Sequence, residues 1–280
     1  MHKTSLTGVR ADTPIGAMVS FGLLRLNPTF RLAWEDRIAA VYTPAPLSAG
    51  ELVELVTRTA ASRGKPEDRP EFSWSNTLKD VEQAVWVKAV SEATTSDQKE
   101  WLAAFGALRA KRFYPTPFDM TSGSQKFLRE LAALPASVTS ESVREALFGP
   151  WMYRDSTHSL GWDPNMLRAG AFTSVQPREL KKERGVTAAV WLASESLPLF
   201  PCFIVEGGLM AARGWVNRQF RWSICERPMT LTGLKALIRN PWHPQVMAVY
   251  GSSRTKAGRQ SGFGPAQPIS ADWRHIQAEG

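Results

Sequence analysis

The chain has 280 residues, 43% of them hydrophobic and 11 of them Trp, and its formal net charge is +8. This composition can bury a sizeable core and, with 21% charged residues and no low-complexity tract, excludes a disordered protein. Cys202 and Cys225 lack CxxC spacing, so we expect free thiols in a reducing cytoplasm, with neither a disulfide framework nor a zinc site. The absence of a signal segment and of a long apolar run predicts a cytoplasmic protein without a membrane span.

The first half of the chain predicts helices and one small hairpin. Asp12-Thr13-Pro14 is a helix-start pattern, and the apolar residues after it predict a buried helix over 14–26. Its small residues indicate close packing, most simply against a sheet. The alternation in 29–34, followed by an apolar run at 38–42, predicts a β-hairpin. The cations at 109–112 suit the C-terminus of a helix. Further helices are expected at about 48–62, 76–92, 96–109, 121–133 and 137–148.

Gly149-Pro150 is the best candidate for a boundary in the chain. It separates a mainly helical region, 1–150, from a mixed α/β basic region, 151–280, although the two could form one continuous domain. We expect an α+β fold: a helical N-terminal half with a small β-hairpin, and a C-terminal half with a mixed β-sheet, helices and basic loops.

The positive charge of the protein is concentrated in one stretch, Gly207–Ala271. This stretch contains nine cations and one acid, a net charge of +8 that equals the charge of the whole chain. Charge confined in this way is typical of a region that contacts a polyanion, whereas charge for solubility is spread over the surface. A solvated basic face and an acidic protein or membrane partner remain alternatives.

Within this stretch, Gly251–Gly264 is rich in Gly and Ser and predicts a flexible basic hairpin or loop. Nucleic-acid binding needs cations for phosphates, and amides and hydroxyls for base edges. The candidate binding residues are therefore Arg254, Lys256, Arg259, Gln260 and Ser261, together with Asn217 and Arg218. The aromatic residues Trp215, Phe220 and Trp222 could stack on bases, but their strand spacing favours the core.

Two further segments carry weaker signals for anion binding. The Gly/Ser-rich run at 121–125 precedes a predicted helix, whose free N–H groups suit a phosphate, with Ser124, Gln125 and Lys126 as donors. An ordinary helix cap explains the run equally well. The segment 178–184 (RELKKER) is either a solvated helix face or a second contact made by Lys181, Lys182 and Arg184.

Catalysis is the weaker hypothesis, and we expect neither a cofactor nor a metal. The sequence lacks a GxSxG elbow, a GxGxxG loop and paired metal-ligand spacing, and Gly207–Ala271 offers only the carboxylate of Glu226. The rival function is a metal-dependent enzyme acting on nucleic acid. Its candidate residues are Asp119, Asp155, Asp163 and His158. A third possibility is a scaffold protein that docks on an acidic partner.

Four sequence blocks in order resemble a known family: PIGAMVSFGLLRL, PFDMTSGSQKFL, LGWDP and WLASESLPLFP. They resemble the small large-subunit-type proteins of type I CRISPR effector complexes, in particular the type I-G (formerly I-U) variety. The resemblance spans about 13–201 and is strongest at 117–128 and 159–164. It implies a non-catalytic subunit that contacts crRNA and target double-stranded DNA, recognises the PAM, binds other effector subunits and helps recruit the helicase–nuclease.

Overall fold

The computed structural model describes residues 1–64, 69–121, 125–165, 185–257 and 260–269. In this part of the chain helices and antiparallel sheets combine in an α+β fold, as the sequence predicts. Among the described helices, none has the length and the apolar composition that a membrane span requires.

The N-terminal sheet has three antiparallel strands in the order β1-β3-β2. They are β1 (His2–Arg10), β2 (Arg31–Glu35) and β3 (Ile38–Thr43). Asp36 and Arg37 form the two-residue turn between β2 and β3, with φ of 45° and 68°. The hairpin predicted here is confirmed, whereas β1 was not predicted, because its only buried residues, Leu6 and Val9, are three apart and a shift of register between Leu6 and Arg10 breaks the alternation.

Two buried helices form the centre of the molecule. Helix α1 (Pro14–Leu26) begins after Thr13, whose hydroxyl accepts from the Gly16 N–H, and it confirms the predicted start. It packs on Thr187–Glu195, a helix that is buried along its whole length. A Cβ at Gly22 would lie 1.8 Å from the Leu192 carbonyl oxygen. The small residues of α1 therefore serve close packing, Gly22 against a helix and Gly16 against the end of β1, where a Cβ would lie 2.1 Å from the Arg10 carbonyl oxygen.

The remaining helices of the first half are mostly short. They are α2 (Ala49–Ala61), α3 (Pro70–Ser73), α4 (Gln83–Glu92), α5 (Ser96–Phe105), α6 (Phe127–Ala133) and α7 (Ser140–Phe148). The prediction that one helix covers 76–92 is wrong in its first half. Ser75 and Thr77 accept hydrogen bonds from backbone N–H groups two residues on, and Asp80 has a φ of 55°. Such local bonds compete with helix formation.

The cations at 109–112 do not end a helix, contrary to the prediction. Helix α5 stops at Phe105, and the chain continues as a hairpin of β4 (Gly106–Arg109) and β5 (Arg112–Pro115). Ala110 and Lys111 take φ of 45° and 68° in its turn. Neither residue is typical of such a turn, so the hairpin has no recognisable local signal.

The second half contains helix α8 (Thr187–Glu195), already described, and α9 (Leu231–Arg239). Strands β6 (Cys202–Ile204) and β7 (Met210–Ala212) form a separate two-stranded sheet. The larger sheet follows the order β8-β9-β10-β11, and β12 also pairs with β10. Its strands are β8 (Trp215–Val216), β9 (Gln219–Ile224), β10 (Ala248–Ala257), β11 (Gln260–Phe263) and β12 (Gln267–Pro268).

Hydrogen bonds and packing connect the two sheets. Leu32 of β2 pairs with Met229, and the Trp34 N–H donates to the Cys225 carbonyl at 2.9 Å. A single cluster of buried hydrophobic residues runs from Leu6 to Phe263 and includes residues on both sides of 149–150.

Candidate nucleic-acid interface

The described part of the predicted basic loop consists of two antiparallel strands, β10 and β11, which together form the cationic hairpin. Arg254 lies opposite Phe263, and Lys256 lies opposite Ser261. Alternate residues of a strand share a face, so both cations lie on the face that carries the buried Ser252. Phe263 is fully buried, whereas Arg254 and Lys256 are exposed. One face of the hairpin is therefore buried at Ser252 and Phe263 and carries exposed cations at Arg254 and Lys256.

A second turn brings another cation close to this hairpin. Asn217 and Arg218 connect β8 to β9 with φ of 50° and 64°, a conformation that Asn adopts readily. The pKa of Arg254 is lowered because burial of part of its side chain disfavours the charge; Asp119 opposes this shift, and the nearby Arg218 adds to it. The Arg254 guanidinium remains charged at neutral pH. Arg218 and Arg254 thus concentrate like charge in one place.

Asp119 is a buried acid whose negative charge acts on Arg254. Its Oδ1 accepts from the Thr121 N–H at 3.0 Å and from the Thr121 hydroxyl at 2.5 Å. Its Oδ2 has no hydrogen-bond partner within the described ranges. Asp119 influences Arg254 through space without forming an ion pair with it. The positive charge of Arg254 is therefore left available to a ligand.

The two loops that carry the strongest sequence blocks pack on each other and on β11. The Trp162 indole N–H donates to the Phe118 carbonyl at 3.0 Å, which links LGWDP to PFDMT. The Phe263 N–H donates to the Gly161 carbonyl at 2.7 Å. Gly161 has a φ of 78° and lies against Met120 and Ser261. These contacts attach the cationic hairpin to the LGWDP and PFDMT segments.

Three cations on or beside the N-terminal sheet differ from those at the interface because acids neutralise them. Lys3 pairs with Glu35, and Arg10 and Arg37 pair with Asp12 at 2.8 and 3.7 Å. In the parts of the chain that the structure describes, no carboxylate forms an ion pair with any of the three interface cations. These cations are Arg218, Arg254 and Lys256. Unpaired cations that share a face are what a polyanion requires.

The other predicted binding residues are distributed as follows. Ser261 is half-buried opposite Lys256, and the backbone of Gln260 pairs with Ala257. Gln125 and Lys126 are half-buried before α6, a helix of seven residues that Lys126 does not cap with its side chain. Five predicted residues lie outside the described residues: Arg259, Lys181, Lys182, Arg184 and Ser124.

The aromatic residues near the hairpins belong to the core, as their spacing favours. Phe220 and Trp222 are buried, and the half-buried Trp215 stacks on Phe263 with ring centroids 5.7 Å apart. Phe118 packs edge-on against Phe220. These rings pack around Phe263, the cross-strand partner of Arg254.

The four candidate catalytic residues each accept a hydrogen bond from a backbone N–H group, Asp119 from that of Thr121. Asp155 accepts from the Thr187 N–H at 2.8 Å, at the start of α8. Asp163 accepts from the Asn165 N–H at 2.9 Å, and burial raises the pKa of its carboxyl. His158 accepts from the Leu160 N–H at 2.7 Å. Among the described residues, no three His, Cys, Asp or Glu side chains form a group that could hold a metal ion.

No protein-family model matches the chain, and no curated protein matches it either. The family resemblance therefore stays a prediction based on the sequence blocks.

Proposed function

We propose that this protein is a non-catalytic, duplex-DNA-binding subunit of a crRNA-guided interference complex. The observation that carries the binding function is the group of unpaired cations Arg218, Arg254 and Lys256 on two adjacent hairpins. Their charges bind phosphates, and the strands that carry them fix their spacing.

Polar groups beside these cations supply contacts to base edges. Asn217 precedes Arg218 in the same turn, and Ser261 faces Lys256 across the β10–β11 ladder. An amide and a hydroxyl both donate and accept hydrogen bonds, as recognition of base edges in a groove requires. Phosphate contacts set the orientation, and these side chains read a short sequence such as a PAM.

A binding assay tests the DNA-binding part of the proposal. The affinity of the purified protein for a short mixed-sequence duplex is compared with that of the Arg218→Ala/Arg254→Ala/Lys256→Ala variant. We expect a loss of about 100-fold or more at moderate salt. Arg37→Ala is the matched control, because Arg37 occupies the equivalent turn position but pairs with Asp12. Equal affinities of the triple variant and the wild type contradict the proposal.

The assembly part of the proposal rests on the four resembling blocks. It places the protein in the cytoplasm with crRNA, the other effector subunits and a helicase–nuclease. Co-expression with a repeat-derived guide RNA and the effector subunits tests it. We expect recovery of one ribonucleoprotein complex that loses this protein after nuclease treatment and a high-salt wash. Retention of an acidic protein partner under these conditions supports a scaffold function instead.

The rival enzymatic function has its own test. Incubation of the purified protein with single- and double-stranded DNA and RNA in the presence of Mg²⁺ or Mn²⁺ is expected to leave the substrates intact. Metal-dependent cleavage that Asp163→Asn abolishes would establish the enzyme and contradict a purely binding subunit.

A further inference from the structure

We propose that a second surface, formed by the β4–β5 and β6–β7 hairpins, binds single-stranded nucleic acid. We call it the double-hairpin surface and define it by Arg109, Lys111, Arg112, Phe203 and Arg213. The inference rests on the proposed function only in taking nucleic acid as the ligand class. It uses none of the three cations assigned to duplex binding.

Like charges are placed together on this surface at a cost in stability. Arg109 and Arg112 lie directly opposite each other on β4 and β5, and Lys111 occupies the turn between them. Like charges at opposed positions of a ladder are destabilising. Across 1–64, 69–121, 125–165, 185–257 and 260–269, no carboxylate pairs with any of them or with Arg213. A polyanionic ligand relieves this repulsion.

The two hairpins are connected through Arg109. Its guanidinium donates to the Gly208 carbonyl and lies over Gly208, where a Cβ would come within 1.9 Å of the Arg109 Cζ. Gly208 has a φ of 77° and leads into β7. This contact holds the turn of β6–β7 beside the turn of β4–β5, and β6 also packs along β4, so that the two hairpins lie side by side.

Aromatic rings on this surface face guanidinium groups. Arg213 lies over the exposed Phe203 with its Cζ 5.2 Å from the ring centroid, and Arg112 lies over Tyr114 at 5.4 Å. Guanidinium and aromatic planes are both platforms on which bases stack. A base inside a duplex cannot present its face to them, whereas an unpaired base can.

The exposed aliphatic side chains favour the same ligand. Leu209 is 71% exposed and Val205 is 37% exposed at the turn between β6 and β7. Apolar groups contribute nothing to a contact with phosphates, but they pack against the faces of unstacked bases. An anionic lipid surface is the other polyanion with an apolar part. It is disfavoured because it gives no role to the two guanidinium–ring pairs.

The test uses a labelled thymine homopolymer, which forms no secondary structure. We expect the Lys111→Ala/Arg112→Ala/Arg213→Ala variant to bind it at least about 10-fold more weakly, with a shallower dependence on salt. Phe203→Leu keeps an apolar side chain but removes the ring, and about a five-fold loss with an unchanged salt slope is expected from lost stacking. All the substituted side chains are exposed or at a turn, and an unchanged melting temperature checks that each variant folds.

The outcomes separate this inference from the proposed function. The inference is supported if the Lys111→Ala/Arg112→Ala/Arg213→Ala variant loses single-strand binding and keeps duplex binding. The Arg218→Ala/Arg254→Ala/Lys256→Ala variant should lose duplex binding and keep single-strand binding. Unchanged affinity of the charge variant for the homopolymer overturns the inference, as does an absence of binding by the wild type. Loss of binding to phosphatidylserine-containing vesicles, with homopolymer binding retained, also overturns it and indicates a lipid surface. Loss of duplex binding alone overturns it by assigning the surface to the duplex interface.

Discussion

The α-carbon of Gly161 faces the carbonyl oxygen of Ser261, so closely that a Cβ at Gly161 would lie 2.5 Å from that oxygen. The next residue but one, Phe263, donates its N–H to the Gly161 carbonyl. The LGWDP loop and the cationic hairpin therefore form one unit, and a disturbance of the loop reaches Lys256 through its cross-strand partner Ser261.

Substitution of Gly161 by Ala is expected to destabilise the protein by about 2–4 kcal/mol, because it adds a steric clash to the cost of a positive φ. Gly207→Ala is the matched control. Gly207 has a similar φ of 76°, but no atom lies within 4 Å of its added Cβ, so a loss of only about 1 kcal/mol is expected. Urea denaturation measures both values. Equal losses for the two variants would show that the clash is relieved by movement of β11.

Substitution of Glu195 by Gln is expected to destabilise the protein by about 3 kcal/mol. Glu195 is 1% exposed and accepts from Arg25 at 3.1 Å and also from Arg63. Its loss leaves the buried Arg25 with the exposed carboxylates of Asp97 and Glu100. Glu35→Gln removes an exposed partner of Lys3 and should leave the midpoint of thermal unfolding nearly unchanged. A Glu195→Gln variant as stable as Glu35→Gln would mean that the buried pairs contribute no net stability.

Asp163→Asn is expected to preserve or increase stability at pH 7, by up to about 1 kcal/mol. Burial raises the pKa of Asp163 above 3.8, so the folded state binds this proton more tightly than the unfolded state. The contribution of Asp163 is thus most favourable below pH 3.8 and decreases as the pH rises through its folded pKa. Since Asn does not titrate, the stability of the variant relative to wild type should increase with pH over this window. A variant that becomes relatively less stable with rising pH would contradict this assignment.

Local signals in the sequence account for part of the fold. Thr13 before Pro14 marks the start of α1, and alternation identifies the β2–β3 hairpin. The turn of β4–β5 could not be found in this way, because Ala110 and Lys111 adopt positive φ without being typical of it. The surrounding tertiary structure imposes this conformation.

The candidate site shows the same division between local and tertiary information. The charge of Arg254 and Lys256 is visible in the sequence, and so is the possibility of a hairpin around them. The proximity of Arg254 to Asp119, in contrast, depends on the packing of β11 against LGWDP. Arg109 and Gly208 were not recognised as neighbours, because they lie 99 residues apart in the chain. Only the fold brings these groups together.

The salt dependence of duplex binding measures how many phosphates the three interface cations contact. The logarithm of the association constant is measured against the logarithm of the salt concentration for wild type, Arg37→Ala and Arg218→Ala/Arg254→Ala/Lys256→Ala. Each phosphate contact contributes about 0.9 to the slope, so the triple variant should have a slope smaller in magnitude by about 3, whereas Arg37→Ala should match wild type. Identical slopes for all three proteins would contradict the assignment of these cations as the duplex-binding surface.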